Sequence, residues 1–230
     1  MTTHDWRDIW LVVFDVDGTL YHQKPLRRKM AVELVKHTAL RRETLTLKVL
    51  RDYRQMRERL AEAGVSPFEA RLERDVAAAH DISQERVRAI VGDWIGQRPL
   101  PFLRDVRRSG VDVLFEALRR EGRTIAVLSD YPVAAKMKAL SLRADIAVAA
   151  NDAEVMALKP NSKGLREVLR RSGIPAAQAL VVGDRDERDG EIARREGTAA
   201  MIFDRPAGPT QPAGTVTALA AALGLKPSPR

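Results

Sequence analysis

The sequence predicts an α/β protein in which a doubly wound parallel sheet is joined to an all-helical segment. Short apolar runs alternate with helical patterns in the second half of the chain, which is typical of parallel βαβ units. Before them, about Pro25 to Pro101 show only helical periodicity, so the first and second strands lie much farther apart than the roughly 30 residues of a βαβ unit. We therefore expect residues 1–21 and 105–230 to form the sheet core, and residues 22–104 to form a helical insert after the first strand.

The first predicted strand, Ile9–Phe14, has the β-branched and aromatic content of a buried strand. It ends abruptly in Asp15-Val16-Asp17-Gly18-Thr19. Two acids at the end of a core strand indicate a site, and in an open α/β sheet that site is the crevice beyond the carboxyl ends of the strands. Asp15 is therefore our candidate nucleophile.

The insert is predicted to hold four helices. Helical periodicity covers Leu26–Leu40 and then Glu43–Ala63. Ser66-Pro67-Phe68-Glu69 has the form of a capping box with proline at the first helical position, so it predicts the start of a third helix. A fourth helix is predicted from Ser83, and its pattern breaks at Gly96–Pro101.

Beyond the insert, strands and helices are predicted to alternate. The predicted strands are Thr124–Leu128, Ile146–Ala150, Ala179–Val182 and Ala199–Phe203, and the predicted helices are Val111–Glu121, Pro132–Leu140, Ser162–Arg171, Glu191–Glu196 and Thr215–Leu223. Ala207–Gly214 is predicted to be a loop, and Lys226–Arg230 a polar tail.

The composition limits the chemistry that the chain can perform. It has no cysteine, which excludes disulfides, thiolate zinc sites and cysteine nucleophiles. Its four histidines show no ligand spacing, so zinc is not expected. We find no run of about 18 apolar residues and no secretory signal, so we expect a cytoplasmic protein without a membrane span.

The net charge of +8 could attract phosphate esters, nucleic acid or an anionic surface. Most basic residues are arginines interspersed with acids on predicted helices, which favours a solvated surface. The sequence shows no zinc-finger, RNP or GxxG signature, so nucleic acid is not expected as a partner. We interpret Arg27-Arg28-Lys29 in the same way, as a solvated helix start rather than a clamp for a second anionic group.

Polar residues follow the ends of the predicted parallel strands, so their side chains can converge at one edge of the sheet. A cluster of carboxylates needs a cation, and hard oxygens from aspartates suit Mg²⁺. One carboxylate can attack phosphorus. A second carboxylate can give a proton to the leaving oxygen and then take one from water. A lysine opposes phosphoryl charge, and a hydroxyl can hold a phosphoryl oxygen. The residues in question are Asp15, Asp17, Ser129, Asn151, Asp152, Lys159, Asp184 and Asp189.

This arrangement resembles the haloacid dehalogenase (HAD) superfamily of phosphatases, whose core is a Rossmann-like parallel sheet. Four motifs of that family occur here in the family's order, over about residues 9–21 and 111–204. They are DxDGT at Asp15–Thr19, a strand ending in Ser or Thr at Ser129, a lysine at Lys159, and GDxxxxD at Gly183, Asp184 and Asp189. The insert is recognised only by its position, as a cap of the kind that selects the substrate in this family.

The resemblance implies a Mg²⁺-dependent phosphatase that hydrolyses a small-molecule phosphate monoester through an aspartyl-phosphate. Asp15 would be the nucleophile and a metal ligand, and Asp17 the general acid/base with its backbone carbonyl on the metal. Asp184 and Asp189 would bind the metal, while Ser129 and Lys159 would hold the phosphoryl group. The remaining candidates for substrate contact are Gly18, Thr19, Tyr21 and Asp130.

Two alternatives stay open at this point. The first is a phosphotransferase, such as a sugar-phosphate mutase, that keeps the aspartyl-phosphate from water. The second is a non-catalytic protein that binds a polyanion through its basic cap. Dehalogenation is disfavoured because that branch of the superfamily lacks the second acid, which is present here as Asp17.

Overall fold

The computed structural model describes residues 6–206 and 214–225, and within them five strands form one parallel sheet. The strands are β1 (Leu11–Phe14), β2 (Thr124–Ser129), β3 (Ile146–Ala149), β4 (Ala179–Gly183) and β5 (Ala199–Ile202). Their order in the sheet is β3-β2-β1-β4-β5, so the chain winds outward on both sides of β1. This confirms the predicted doubly wound α/β fold.

The central strand, β1, is buried on both faces. Leu11 and Val13 pack into the hydrophobic cluster on one side of the sheet, whereas Val12 and Phe14 pack into the cluster on the other side. A strand covered on both faces must be apolar at every position, which explains the unbroken apolar run in the sequence. Because β1 lies between β2 and β4, the carboxyl ends of three strands meet beside Asp15.

Helices of the core cover both faces of the sheet. These helices are α5 (Val111–Arg120), α6 (Ala134–Ala139), α7 (Lys163–Ser172), α8 (Glu191–Glu196) and α9 (Val216–Ala222). One hydrophobic cluster takes apolar residues from α5, α6 and α9, and the other takes them from α7 and α8. Each helix lies close to its prediction, although α6 begins two residues later than predicted. The predicted tail, 226–230, and most of the predicted loop, 207–213, lie outside the described residues.

The insert is helical, as predicted, and it leaves and rejoins the core at one place. The N–H of His22 donates to the carbonyl of Val106 at 2.9 Å, and the N–H of Arg108 donates to the carbonyl of Leu20 at 2.9 Å. Its helices are α1 (Gln23–Arg41), α2 (Leu45–Glu62), α3 (Glu69–His80) and α4 (Gln84–Val91), and a π-helical turn continues α4 through Gly92–Gln97.

The helices of the insert build a hydrophobic cluster of their own. It includes Leu50 and Tyr53 of α2, Leu72 of α3 and Trp94 of the π-helical turn, and it reaches Leu158 of the core. The division into two domains stays a prediction. No helix in the described part of the chain combines the length and apolar character that crossing a membrane requires.

The predicted capping box at Ser66 is wrong. The hydroxyl of Ser66 donates instead to the carbonyl of Met156 in the core, at 2.9 Å, and α3 begins without a side-chain cap. A contact across 90 residues leaves no trace in the local pattern. Ser83, in contrast, caps α4, because its hydroxyl accepts the N–H of Arg86 at 3.2 Å.

Candidate active site

Asp15 lies at the carboxyl edge of the sheet and is only 7% exposed. Its N–H donates to the carbonyl of Val182 at 2.8 Å, so the pairing of β1 with β4 continues by one residue. One carboxylate oxygen accepts the hydroxyl of Thr19 at 2.9 Å, and the other accepts Nζ of Lys159 at 2.6 Å. The carboxylate of the candidate nucleophile is therefore held in one orientation.

Three of the predicted metal-binding side chains converge. Asp15, Asp184 and Asp189 each offer a carboxylate oxygen, and these oxygens lie within 4.8 Å of one another. Burial, opposed by Lys159 and reinforced by Asp189, raises the pKa of Asp15 to about 8. Burial and then Asp189 raise the pKa of Asp184 to about 6. Closely spaced hard oxygens whose negative charge is only partly neutralised fit a divalent cation such as Mg²⁺.

Two glycines allow this close approach of carboxylates. Gly18 has φ +110°, and a Cβ there would lie 2.0 Å from an oxygen of Asp184. A Cβ on Gly183 would lie 2.2 Å from the carboxyl carbon of Asp189. The close packing of Asp184 thus explains why position 18 is a glycine. Substrate contact by Gly18 stays a prediction.

Lys159 is buried inside the cluster of acids. Its Nζ lies 2.6 Å from an oxygen of Asp15 and 2.6 Å from an oxygen of Asp189. Burial opposes the charge of Lys159, but the two carboxylates outweigh burial and raise its pKa. Asp130 positions the backbone of Lys159, since its carboxylate accepts the N–H of Lys159 at 3.0 Å. Phosphoryl contact by Lys159 and substrate contact by Asp130 stay predictions.

Asp17 has a different set of partners, although it lies two residues from Asp15. Lys136 Nζ lies 2.5 and 2.7 Å from its two carboxylate oxygens. The hydroxyl of Ser129 donates to one oxygen at 3.1 Å, and the hydroxyl of Tyr21 donates to the other. Burial opposes ionisation, but the charge of Lys136 and these hydrogen bonds together lower the pKa of Asp17. The structure therefore holds Asp17 ionised.

Lys136 is a site residue that our sequence analysis missed. It lies in α6 and is 6% exposed, which is unusual for a lysine. The sequence contains one signal that could have found it. Lys136 falls at the i+3 position of the apolar face formed by Val133, Met137 and Leu140, so helical spacing places it on the buried side.

Arg108 is a second residue that the analysis missed. It is buried, and its guanidinium donates to the carbonyls of Gly18 and Thr19, each at 2.9 Å. Asp204 forms an ion pair with it at 2.9 Å. These bonds fix the turn that follows Asp15. Arg108 lies some 90 residues from that turn in the sequence, so a local sequence pattern cannot reveal the contact.

Ser129 and Thr19 both contact the paired acids. Ser129 ends β2, donates to Asp17 and accepts the N–H of Tyr131 at 3.1 Å. Thr19 donates to Asp15 and has no exposed surface. Phosphate contact by Ser129 and substrate contact by Thr19 and Tyr21 stay predictions.

A cavity of about 500 Å³ separates the carboxyl edge of the sheet from the insert. We call its core side the floor, formed by Asp15, Asp17, Asp130, Tyr131, Lys136, Lys159, Asp184, Arg185, Arg188 and Asp189. We call its other side the roof, formed by residues of the insert that include Leu26, Arg27, Met30, Leu34, Arg54, Arg57, Glu58, Trp94 and Ile95. Arg27, Arg28 and Lys29 are all exposed, as predicted, and Arg27 also reaches the roof.

A family model of haloacid dehalogenase-like hydrolases matches residues 9–197 of this chain. The chain belongs to this family. The match begins in the first strand, includes the whole insert and ends after α8. It confirms the resemblance inferred from the four motifs, and it makes the protein a hydrolase of the HAD superfamily. A search of curated proteins found no significant match.

Solved structures of HAD members share this fold. A 2-haloacid dehalogenase from Pseudomonas syringae pv. Tomato has 21% identity and a TM-score of 0.66, over 94% of this chain and 98% of that one. A HAD phosphatase from Thermococcus onnurineus has 18% identity and a TM-score of 0.57, over 96% and 100%. A HAD hydrolase from Bacillus subtilis with bound magnesium has 13% identity and a TM-score of 0.58, over 94% and 99%.

Proposed function

We propose that this HAD hydrolase is a Mg²⁺-dependent phosphatase that cleaves a small-molecule phosphate monoester through an aspartyl-phosphate at Asp15. One observation carries the proposal. The two acids after β1 have separate surroundings: Asp15 lies among Asp184, Asp189 and Lys159, whereas Asp17 is bound by Lys136, Tyr21 and Ser129. Separate surroundings give the two carboxylates separate roles, as a nucleophile and as an acid/base.

Asp15, Asp184 and Asp189 would hold the Mg²⁺, and the backbone carbonyl of Asp17 is a further ligand that the family resemblance implies. When bound, the ion supplies positive charge opposite the carboxylates and the phosphate oxygens. In this structure the side-chain amide of Gln23 donates to the carbonyl of Asp17, so the first residue of α1 touches this part of the site.

In the first step, an oxygen of Asp15 attacks phosphorus, and the bond from phosphorus to the leaving oxygen breaks. Asp17 gives its proton to that oxygen. The step needs protonated Asp17, which must loosen its bonds to Lys136. The positive charge of Lys136 and the hydroxyl of Ser129 favour the ionised form of Asp17, which is the form that the second step needs.

In the second step, water attacks the phosphorus of the aspartyl-phosphate, and the bond from phosphorus to Asp15 breaks. Asp17 takes the proton from the water, which restores its starting state once the phosphate leaves. Lys159 and Ser129 are proposed to bind phosphoryl oxygens, since both side chains border the carboxylates at which the phosphoryl group would lie.

Several structural neighbours are haloacid dehalogenases, which makes dehalogenation the alternative to test. Asp17, with its buried lysine partner, favours phosphate chemistry, because an acid/base is needed there to protonate an alcohol leaving group. Phosphoryl transfer to a second substrate stays an alternative that shares the first step. A cytoplasmic location is part of the proposal, and the absence of cysteine is compatible with it.

The test compares two substrates with the full chain. We expect the release of phosphate from 4-nitrophenyl phosphate in the presence of Mg²⁺, its loss in a chelator, and no release of chloride from 2-chloropropionate. Chloride release without phosphate release would replace the proposal with dehalogenation. Phosphate release that persists in the chelator would refute the metal site.

A further inference from the structure

The cations around the cavity differ in how they are paired. On the floor, Lys136, Lys159, Arg185 and Arg188 each form ion pairs with carboxylates. On the roof, no ion pair joins Arg27, Arg54 or Arg57 to a carboxylate of any described residue. The roof therefore presents cationic groups to the cavity that form no ion pair with the described residues.

Arg57 is the buried member of the roof and is 6% exposed. Its guanidinium lies 4.0 Å from the ring centre of Tyr131 and 5.2 Å from that of Phe68, and it donates to the carbonyl of Asp130. One backbone acceptor leaves most of its five N–H donors without a protein partner. Burying a cation is unfavourable unless it is fully paired, and the two rings, with the charge of Glu69 acting without an ion pair, compensate only in part.

Arg54 lies three residues before Arg57, on the same side of α2. Its side chain is exposed and lines the same cavity. Two guanidinium groups at this spacing suit a carboxylate or phosphate, which can bind planar N–H donors in a bidentate manner. The rest of the roof is largely apolar, with Leu26, Met30 and Trp94 among its residues.

We propose that Arg54 and Arg57 form an anion subsite for a second negatively charged group of the substrate, either a carboxylate or a second phosphate. The preferred substrate is then a phosphate monoester whose leaving group has an apolar body and ends in an anion. The inference rests on the proposed function, because it takes the ester phosphate to bind beside Asp15.

The test measures binding of phosphonates that cannot be hydrolysed, by calorimetry on the full chain with Mg²⁺. The probes are alkylphosphonates with stems of about two to six methylenes that end in a carboxylate, in its neutral carboxamide or in a second phosphonate. At the best stem length we expect an anionic probe to bind about tenfold or more tighter than its carboxamide, since charge-assisted hydrogen bonds are worth that much. Whether the carboxylate or the bisphosphonate binds tighter identifies the second group.

Three variants on α2 locate the effect. Arg54→Gln and Arg57→Gln should reduce the preference for the anionic probe by about tenfold and leave the carboxamide's affinity unchanged. Arg59→Gln, on the same helix but outside the cavity lining, should keep the preference. Arg57→Gln removes buried ring contacts and can destabilise the fold, whereas the exposed Arg54→Gln should fold and decides the matter alone.

Equal affinity for anionic and neutral probes at every stem length would overturn the subsite, and so would a preference that survives Arg54→Gln. The hydrolysis of 4-nitrophenyl phosphate separates this inference from the proposed function. If that ester is not hydrolysed, the phosphatase proposal fails, yet the comparison of phosphonates still decides whether the roof binds a second anion.

Discussion

Buried cations are paired with carboxylates on the floor of the cavity but not on its roof. On the floor, Lys136 and Lys159 lie 2.5 to 2.7 Å from carboxylate oxygens, so each buried lysine has a counter-charge. On the roof, Arg57 is buried between two aromatic rings without a carboxylate partner. A buried charged side chain that forms an ion pair within the protein is fixed in position. A buried charged side chain without such a partner can pair with a ligand. The comparison indicates that the floor holds fixed chemistry and the roof selects the substrate.

The largest expected effect on the floor is the loss of the nucleophile. Asp15→Asn should abolish phosphate release, because an amide cannot form the aspartyl-phosphate. The matched control is Asp152→Asn, since Asp152 also follows a strand but accepts the N–H of Ala149 outside the cavity lining. Steady-state assays with 4-nitrophenyl phosphate should show full activity in the control. Substantial activity in Asp15→Asn would break the distinction between the two acids.

The second effect concerns Asp17. Asp17→Asn should lower kcat by about 10²–10⁴, the usual contribution of a general acid/base. The loss should be greater for alkyl phosphates than for 4-nitrophenyl phosphate, because a poor leaving group depends more on proton donation. The comparison uses kcat/KM, which reports the first step, because slow hydrolysis of the aspartyl-phosphate would lower kcat equally for all substrates. A loss of kcat/KM that is the same for all leaving groups would contradict the role of Asp17 as proton donor.

The third effect concerns Lys136, which positions Asp17. Lys136→Met should lower kcat by about tenfold or more, since it removes a charge-assisted contact to a buried carboxylate. Lys138→Met is the control, because Lys138 lies on the exposed side of the same short helix. Partial recovery of kcat in Lys136→Arg would indicate that the positive charge matters. Equal activity in Lys136→Met and Lys138→Met would show that Lys136 does not contribute to catalysis through Asp17.

The smallest effect concerns the contact that joins the two sides of the cavity. Glu58 of α2 accepts from Arg185 at 3.3 Å and also from Arg188. Because the side chain of Glu58 is half-exposed, Glu58→Gln should lower the free energy of unfolding by about 1 kcal/mol or less. Urea denaturation, with the exposed Glu62→Gln as control, measures the difference. A loss of several kcal/mol would show that this contact is a main support of the insert.

The sequence predicted the floor better than the roof, for a physical reason. Asp15, Asp17, Asp184 and Asp189 follow strands whose apolar runs are visible locally, and parallel strands place such ends at one edge. Lys136 lies on the same floor, and Arg108 fixes the turn that follows Asp15, but each acts through contacts to residues about 90 or more positions away.

The sequence shows where the insert that forms the roof begins and ends, but it does not show the function of the roof, because that function depends on which side chains lack a partner. Arg54 and Arg57 resemble any arginines of a solvated helix until packing shows what surrounds them. The same limitation explains Ser66, whose local pattern suggested a helix cap and whose hydroxyl bonds to Met156 instead. Local patterns report helices and strand ends, whereas long-range pairing appears only in the folded chain.

The central claim is that Asp15 carries the phosphoryl group, and trapping that intermediate tests the claim most directly. The chain is mixed with 4-nitrophenyl phosphate and Mg²⁺, quenched, and treated with borohydride, which reduces an aspartyl-phosphate to homoserine. Peptide mass spectrometry should find homoserine at position 15 in the wild-type chain, with more of it in Asp17→Asn if hydrolysis of the intermediate is slowed. Turnover with unmodified Asp15, or homoserine at another aspartate, would contradict the account.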